Sequence, residues 1–317
     1  MRNLCTTLRS CCPNITTLVF DLETPDFSES CSHIWPTLSE HSFQIVDWTF
    51  RLPSVQLRTV DLSALSEWPN CIKSLQLNNG CLNFEVLQTM NNTANCNVEE
   101  LILCHVKLVE LKETCNLSIF PKLKVLKIAS GSGRTPWEYL ALSGHLRTLH
   151  IETGLEPPVW RSLQSVFFAN PYLSEIFLWN LALTFEVDFI LDLASVSSLR
   201  KLTIGRLDWN GSFRNLESVK KCDAISPVED LGLLLHLGSL PEKFFSVLSK
   251  TYPNLKRLNL QLHSIKSEAL DTPSSSILRF PLLETFEIDC WKNVPLEKLN
   301  WSLSTGSALR EIFINRI

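Results

Sequence analysis

Residues 252–262 read YPNLKRLNLQL, with leucines at 255, 258, 260 and 262 directly behind a proline. Residues 120–128 (FPKLKVLKI), 170–178 (NPYLSEIFL) and 280–288 (FPLLETFEI) repeat the phrase. Its core is apolar-x-x-apolar-x-apolar. First positions fall at Ile15, Leu57, Ile72, Val98, Leu123, Leu146, Leu173, Leu199, Val228, Leu255, Leu283 and Leu309. From Ile72 the steps are 26, 25, 23, 27, 26, 29, 27, 28 and 26 residues. A period in this range marks a solenoid, in which one supersecondary unit is stacked many times. No unit of that size shelters its own apolar side, so the core forms only between neighbours.

The last two apolar residues of each phrase, such as Leu126 and Ile128, lie two apart, which a strand points to one face. Roughly 26 residues accommodate one strand and a return segment. Several return segments read as helices. Thr135, Pro136 and Glu138 make a capping box with proline at the first helical position. Ser239, Pro241 and Glu242 offer the same signal ahead of Phe244, Phe245 and Leu248, which share a helix face. Trp160, Leu163 and Phe167 are spaced alike, and NFEV at 83 echoes TFEV at 184. The proline before each strand ends the helix, because it lacks a donor and disfavours helix in the residue before it.

The early region is less regular. Ile15 to Leu57 is a gap of 42 residues and Leu57 to Ile72 one of 15. Phe43, Val46 and Trp48 also fit the phrase. Residues 43–72 are then one unit with 57–62 as an extra element on the back, or Leu57 opens a repeat of its own. The expected fold is α/β: a leucine-rich-repeat solenoid, horseshoe-shaped, with a parallel concave sheet, a mostly helical convex side and about 11–13 irregular repeats. It is expected as one solenoid over 1–317, irregular over 16–71 and regular over 72–317.

The residues resemble a leucine-rich-repeat protein of the ribonuclease-inhibitor-like class. The P-N-L-x-x-L-x-L junctions (Pro13-Asn14-Ile15, Pro253-Asn254-Leu255) are most similar to the repeat half of F-box/leucine-rich-repeat proteins. The resemblance covers nearly the whole chain and departs from the family in two respects. Where the family often sets Asn or Cys three residues after the last strand leucine, this chain has Gly131, Gly154, Leu181, Leu207, His263 and Trp291. No F-box is visible ahead of the repeats. The chain opens in mid-repeat and stops on a strand, which reads as part of a longer architecture or a shortened product. The resemblance implies a substrate-recognition module of a ubiquitin ligase, with a ligase adaptor as partner if an F-box lies upstream; the alternative is an F-box-less scaffold or inhibitor.

Composition bounds the chemistry. The 317 residues carry 29 Lys and Arg against 33 Asp and Glu, a net charge of −4. No basic stripe is present to track phosphates, so nucleic acid is not an expected partner. No signal-peptide core and no run of 18 apolar residues occurs, so no membrane contact is expected. Eleven scattered cysteines contain no C-x-x-C, which reads as reduced thiols in a cytoplasmic or nuclear protein. Cys11 and Cys12 are adjacent and read as a helix end with one thiol buried. Hydrolase, zinc-protease and phosphate-loop motifs are absent, and the SGSGR at 130–134 reads as an inter-repeat turn. No catalytic residue, cofactor or metal site is expected. Glu287 and Asp289 share one strand face and read as a solvated acidic spot.

If the fourth and sixth positions point inward, the third, fifth and seventh form the concave surface. Most are polar or small. Phe177 and Trp179 are the exceptions, two aromatics that either stand exposed or are covered by a loop or a bulkier neighbouring helix. With His150, Glu152, Lys201 and Arg257 around them, they are the expected hot spot for a protein partner on the concave face.

Overall fold

The structure is a computed structural model. It describes residues 17–21, 47–51, 59–60, 73–78, 81–83, 97–105, 107–109, 120–129, 144–152, 166–179, 193–208, 225–236, 244–263, 276–291, 301–305 and 308–316, with Thr7, Ser10 and Cys11. The chain divides into two compact units, Met1–Thr153 and Gly154–Ile317. The turn and helix signals at 84–86, 130–138, 157–165, 184–187 and 239–242, with Cys12, Phe43 and Val46, lie outside the described residues.

The first unit contains β1 (Thr17–Asp21), β2 (Asp47–Arg51), β3 (Thr59–Val60), β4 (Ser74–Asn78), β5 (Cys81–Asn83), β6 (Glu100–Cys104), β7 (Lys107–Val109), β8 (Val125–Ala129) and β9 (Thr148–Glu152). Its main sheet runs β1-β2-β4-β6-β8-β9, parallel throughout. A smaller parallel sheet joins β3, β5 and β7. The second unit contains β10 (Glu175–Trp179), β11 (Lys201–Asp208), β12 (Asp230–His236), α1 (Phe244–Thr251), β13 (Arg257–Leu262), β14 (Ser276–Phe280), β15 (Thr285–Cys290), β16 (Trp301–Thr305) and β17 (Glu311–Arg316). Its main sheet runs β10-β11-β12-β13-β15-β17, again all parallel, and β14 pairs with β16 in a second sheet.

The repeat accounts for this order. The fourth and sixth positions alternate with half-buried neighbours in β6, β8, β9 and β10, giving the same burial rhythm four times. First positions join them in the core: Leu123, Leu146, Leu173, Leu199, Val228, Leu255 and Leu283 are all buried. Fully parallel pairing with one strand per repeat makes each unit a parallel-strand solenoid of leucine-rich repeats. On β17, Ile312 and Ile314 pair with buried Phe286 and Ile288 yet are 52% and 64% exposed. A repeat's apolar row is covered only by a neighbour on each side.

The proline phrase is a turn. The N–H of Leu123, Leu173, Leu255 and Leu283 donates to the carbonyl three residues earlier, at Phe120, Asn170, Tyr252 and Phe280. Proline at the second place of such a turn is preset for it. The residue ahead of it is buried each time: Phe120, Tyr252 and Phe280 add bulk to the core. Buried Asn170 satisfies its amide at the carbonyl of Val166, 2.7 Å away.

After the turn, one carbonyl oxygen ties each repeat to the next. The Lys73 carbonyl accepts from the N–H of Glu99 and of Glu100, and the Glu99 carbonyl from Lys124 and Val125. Equivalent pairs recur at Lys124, Ser174, Arg200, Glu229, Lys256 and Glu284. At two of these junctions the second positions carry opposite charges that meet, with Lys124 Nζ 2.7 Å from Glu99 and Lys256 Nζ 2.8 Å from Glu229. The side-chain hydrogen bond from its lysine holds each glutamate below its ordinary pKa of 4.5.

Register places the early repeats. Trp48 pairs with Leu75 and Phe50 with Leu77, so the phrase counts back to Ile45 and not to Phe43. Leu18 and Phe20 pair with Trp48 and Phe50, which agrees with a first position at Ile15. The phrase opening at Leu57 is a coincidence: its Val60 sits in β3 of the small sheet. Thr59 and Val60 thus stand in a second sheet, and β2 is followed in the main sheet by β4.

The return side is not shown to be mostly helical. Among the described residues α1 is the one helix given end to end; Thr7, Ser10, Cys11, 166–169 and 193–194 are helical as well. The helix α1 precedes β13 and packs on β14, while β14 and β16 precede β15 and β17 at the equivalent place. FFSVLSKT places Phe244, Phe245 and Leu248 on one helix face, while SILRF forms its strand by pairing with WSLST.

Two predictions follow from the packing. Leu258 is 0% exposed, and Leu258→Ala should cost about 2–5 kcal/mol in urea unfolding. The Glu229–Lys256 and Glu99–Lys124 pairs lie at the surface, with glutamate pKa values lowered in the fold. Their contribution is present above pH 4.5 and fades as pH falls through the lowered values. Acid titration of the thermal midpoint should show this loss, and Glu99→Gln with Glu229→Gln should flatten it.

Candidate functional site

The third, fifth and seventh positions lie on the opposite sheet face from the core, most of them half-buried, with Lys201 and Arg257 exposed and Gly205, Leu234 and Asp289 buried. In the second unit this face carries Phe177 and Trp179 on β10. Their rings stack with centroids 5.6 Å apart and an interplanar angle of 10°. Both are half-buried, between the two states the sequence reading leaves open. Trp179 gains its cover from the next strand: a Cβ built on Gly205 would meet Trp179 Cε3 at 2.2 Å and Cδ2 at 2.5 Å. The indole therefore lies against the Gly205 backbone, an approach only glycine permits. Gly232 repeats the device more mildly, with Thr203 Cγ2 and Oγ1 each 3.3 Å from where its Cβ would be.

Lys201 and Arg257 stand on the same face, each committed to an acid on the preceding strand. Lys201 Nζ is 2.9 Å from Glu175 Oε1, and Arg257 Nη1 is 4.0 Å from Asp230 Oδ2. Burial pushes the Asp230 carboxyl up, against the pull of Arg257 and Lys201. The third positions of β10 to β13 therefore alternate in sign.

Glu287 and Asp289 on β15 are not the solvated spot expected of them. Asp289 is 7% exposed. Asn315 Nδ2 donates to Asp289 Oδ1 at 2.8 Å and to Glu287 Oε1 at 3.4 Å. Asn259 Nδ2 donates to Glu287 Oε2 at 2.7 Å, and Gln261 Nε2 to Asp289 Oδ2 at 3.3 Å. Neutral amides hold the two carboxylates, and among the described residues no basic side chain pairs with them. Beyond the strand ends, His263 and Trp291 meet at a centroid distance of 4.1 Å and 55°. They occupy the two places where the family resemblance implies Asn or Cys.

His150 and Glu152 belong to the first unit, on β9. His150 Nε2 lies 3.9 Å from Glu152 Oε2, too far for a hydrogen bond. Burial lowers the His150 pKa, more than Glu152 raises it, so at neutral pH the contact is not an ion pair. Lys127 bonds Glu100 at 2.9 Å on the same face, and Ser74 Oγ donates to the other Glu100 oxygen. Cys104 is a free thiol whose pKa is pushed up by burial and then by Glu152, which suppresses the reactive thiolate. Cys11 is a free thiol on the surface. Among the described residues no group of three or more His, Cys, Asp or Glu could hold a metal, and no helix is long and apolar enough to cross a membrane.

Of the six residues singled out from sequence, Phe177, Trp179, Lys201 and Arg257 share the second unit's open face; His150 and Glu152 occupy the equivalent face of the first. Gly205 and the amide trio Asn259, Gln261 and Asn315 were missed. A glycine level with a tryptophan on the next repeat's open row is the signal that betrays the first. Amides one repeat either side of two carboxylates betray the second.

No protein-family model matches the chain, and no curated protein matches it in sequence. Among solved structures, an internalin from Listeria monocytogenes is similar at TM-score 0.40 and 14% identity, covering 98% of this chain and 94% of its own. A Bacteroides fragilis protein from a structural-genomics programme aligns at TM-score 0.34 and 14% identity over 66% of each chain. The class of the protein rests on its own repeat and register: a leucine-rich-repeat solenoid.

The indole–glycine contact is testable. Gly205→Ala should destabilise the second unit by about 1–3 kcal/mol through overpacking. In a Trp179→Ala background most of that cost should vanish, which a double-mutant cycle in denaturant would record.

Proposed function

We propose that this protein is a protein-binding repeat module that presents the open face of its parallel sheet, the predicted concave surface, to a partner. The observation that supports this reading is the stacked Phe177–Trp179 pair. Two adjoining aromatics stand on a sheet face made mostly of polar and small side chains, with Leu234 on β12 and the exposed Phe313 on β17 as the other large apolar groups of the second unit. Half-buried aromatics ringed by polar groups are what interface hot spots are made of. Stacking and the Gly205 seat fix both rings before any partner arrives, so little rotamer freedom is lost on binding. The function is non-enzymatic, as a scaffold of stacked strands has no need of catalysis to hold a partner.

The narrower reading is substrate recognition for a ubiquitin ligase, supported by the P-N-L-x-x-L-x-L junctions alone. An F-box-less scaffold or inhibitor uses the same face without a ligase. The free thiols Cys104 and Cys290 favour a reducing compartment, the cytoplasm or nucleus, in either case.

Affinity capture from cell extract with wild-type protein and Trp179→Ala as a matched pair tests the face. Loss of a hot-spot aromatic costs about 2 kcal/mol or more, roughly 30-fold in affinity. The partner should vanish from the Trp179→Ala capture while the thermal midpoint falls by only a few degrees. Equal capture by both proteins would move the site elsewhere. Repeating the capture with the proteasome inhibited separates the narrower readings: a partner that accumulates together with a cullin-associated adaptor marks a ligase, and a stable partner without adaptor marks a scaffold.

A further inference from the structure

The proposed binding face says nothing yet about what lies on it, but its chemistry does, if that reading holds. On the second unit the fifth positions from β10 to β15 run Phe177, Thr203, Gly232, Asn259 and Glu287 in register. An aromatic shelf stands at one end, and Glu287 stands four strands on, with Phe313 of β17 beside it. Between them Thr203 and Gly232 make a low floor, with the Thr203 side chain reaching over the glycine. The third positions flank this row, and there the ion pairs Glu175–Lys201 and Asp230–Arg257 cancel their own charge.

Neutral donors meet the charge at the far end. Glu287 and Asp289 are held by amide donors, and Glu311 accepts from the Thr285 hydroxyl at 3.4 Å. No described basic side chain pairs with these three carboxylates. Asp289, covered by Gln261 and Asn315, acts through a less polar medium than water, which strengthens its field. The row therefore asks for an apolar group at one end and a cation at the other. β10 and β15 are four strand spacings apart, roughly 19 Å, which an extended chain covers in about six residues.

We propose that the open face of the second unit takes an extended basic segment of a partner protein, laid across the strands, with an apolar side chain on the Phe177–Trp179 shelf and an arginine about six residues away on Glu287. Arginine fits because its planar fork can meet a carboxylate already oriented by Asn259 and Asn315. The low middle of the row admits a backbone with small side chains.

Seven-residue peptides test this, with leucine at one end, arginine at the other and five glycines and serines between, made in both orders. They are titrated against the full chain by ligand-observed NMR at low and physiological salt. One of the two orders should bind at least tenfold tighter than its Arg-to-Glu counterpart and than a version with a one-residue spacer, the preference weakening with salt. Glu287→Gln, which keeps an amide-sized group in place, should remove the preference for arginine over glutamate. Trp179→Leu should weaken the parent peptide without restoring the glutamate one. Thermal midpoints confirm that both variants fold.

Absence of binding by both parent peptides overturns the proposal. So does equal or tighter binding of the glutamate peptide; if Trp179→Leu then abolishes that binding, the face stands and only the partner chemistry falls. Parent-peptide binding undiminished in both Trp179→Leu and Glu287→Gln would remove the face as well.

Discussion

One carbonyl oxygen per repeat sets everything else. It belongs to the residue after the first apolar position and accepts two N–H groups from the following repeat, at eight junctions among the described residues. An oxygen has two lone pairs, and both are used in one place. That fixes the strand start to a single residue, and a slip of one would turn every core side chain to water. Leu258 and Leu260 meet Leu231 and Leu233 because Lys256 and Arg257 both hang from Glu229. The burial of the apolar rows then supplies the driving force, but the register decides which rows are apolar to the inside.

Much of this was legible in the residues. The apolar phrase gave strand positions, inward rows and outward rows, and Phe177 and Trp179 stand where the parity of β10 put them. The early repeats were harder, since Trp48 and Phe50 replace the aliphatic pair and a decoy phrase at Leu57 lies nearby. Only the pairing of Trp48 with Leu75 resolves the two. Return segments were read as helical from caps and spacing, and at α1 that holds. At SILRF five residues with one β-branched side chain carry no periodic signal, and the strand identity depends on WSLST, a partner some 25 residues on. Long-range pairing is invisible to a local pattern.

The candidate site was legible by position and not by state. Sequence parity says that Asp289 points outward; it does not say that Asn315 and Gln261 cover it. Such cover comes from side chains one repeat away, which are adjacent only after the coil has closed. The same holds for Trp179. An indole on an outward position reads as exposed or covered until the neighbouring residue is seen to be Gly205 and the ring settles onto backbone. Large beside none, and carboxylate beside amide, are relations between repeats and not within one.

The charges on the second and third positions carry a further consequence. Down the second position run Arg200, Glu229, Lys256, Glu284 and Arg310; down the third run Glu175, Lys201, Asp230 and Arg257. Both rows change sign at each step, so their true period is two repeats. Excising the single repeat of Glu229 and Asp230 would set Arg200 against Lys256 and Lys201 against Arg257, like against like in both rows. Excising two adjacent repeats leaves the alternation intact. A coil of this kind lengthens or shortens in pairs, as a zip with alternating teeth must.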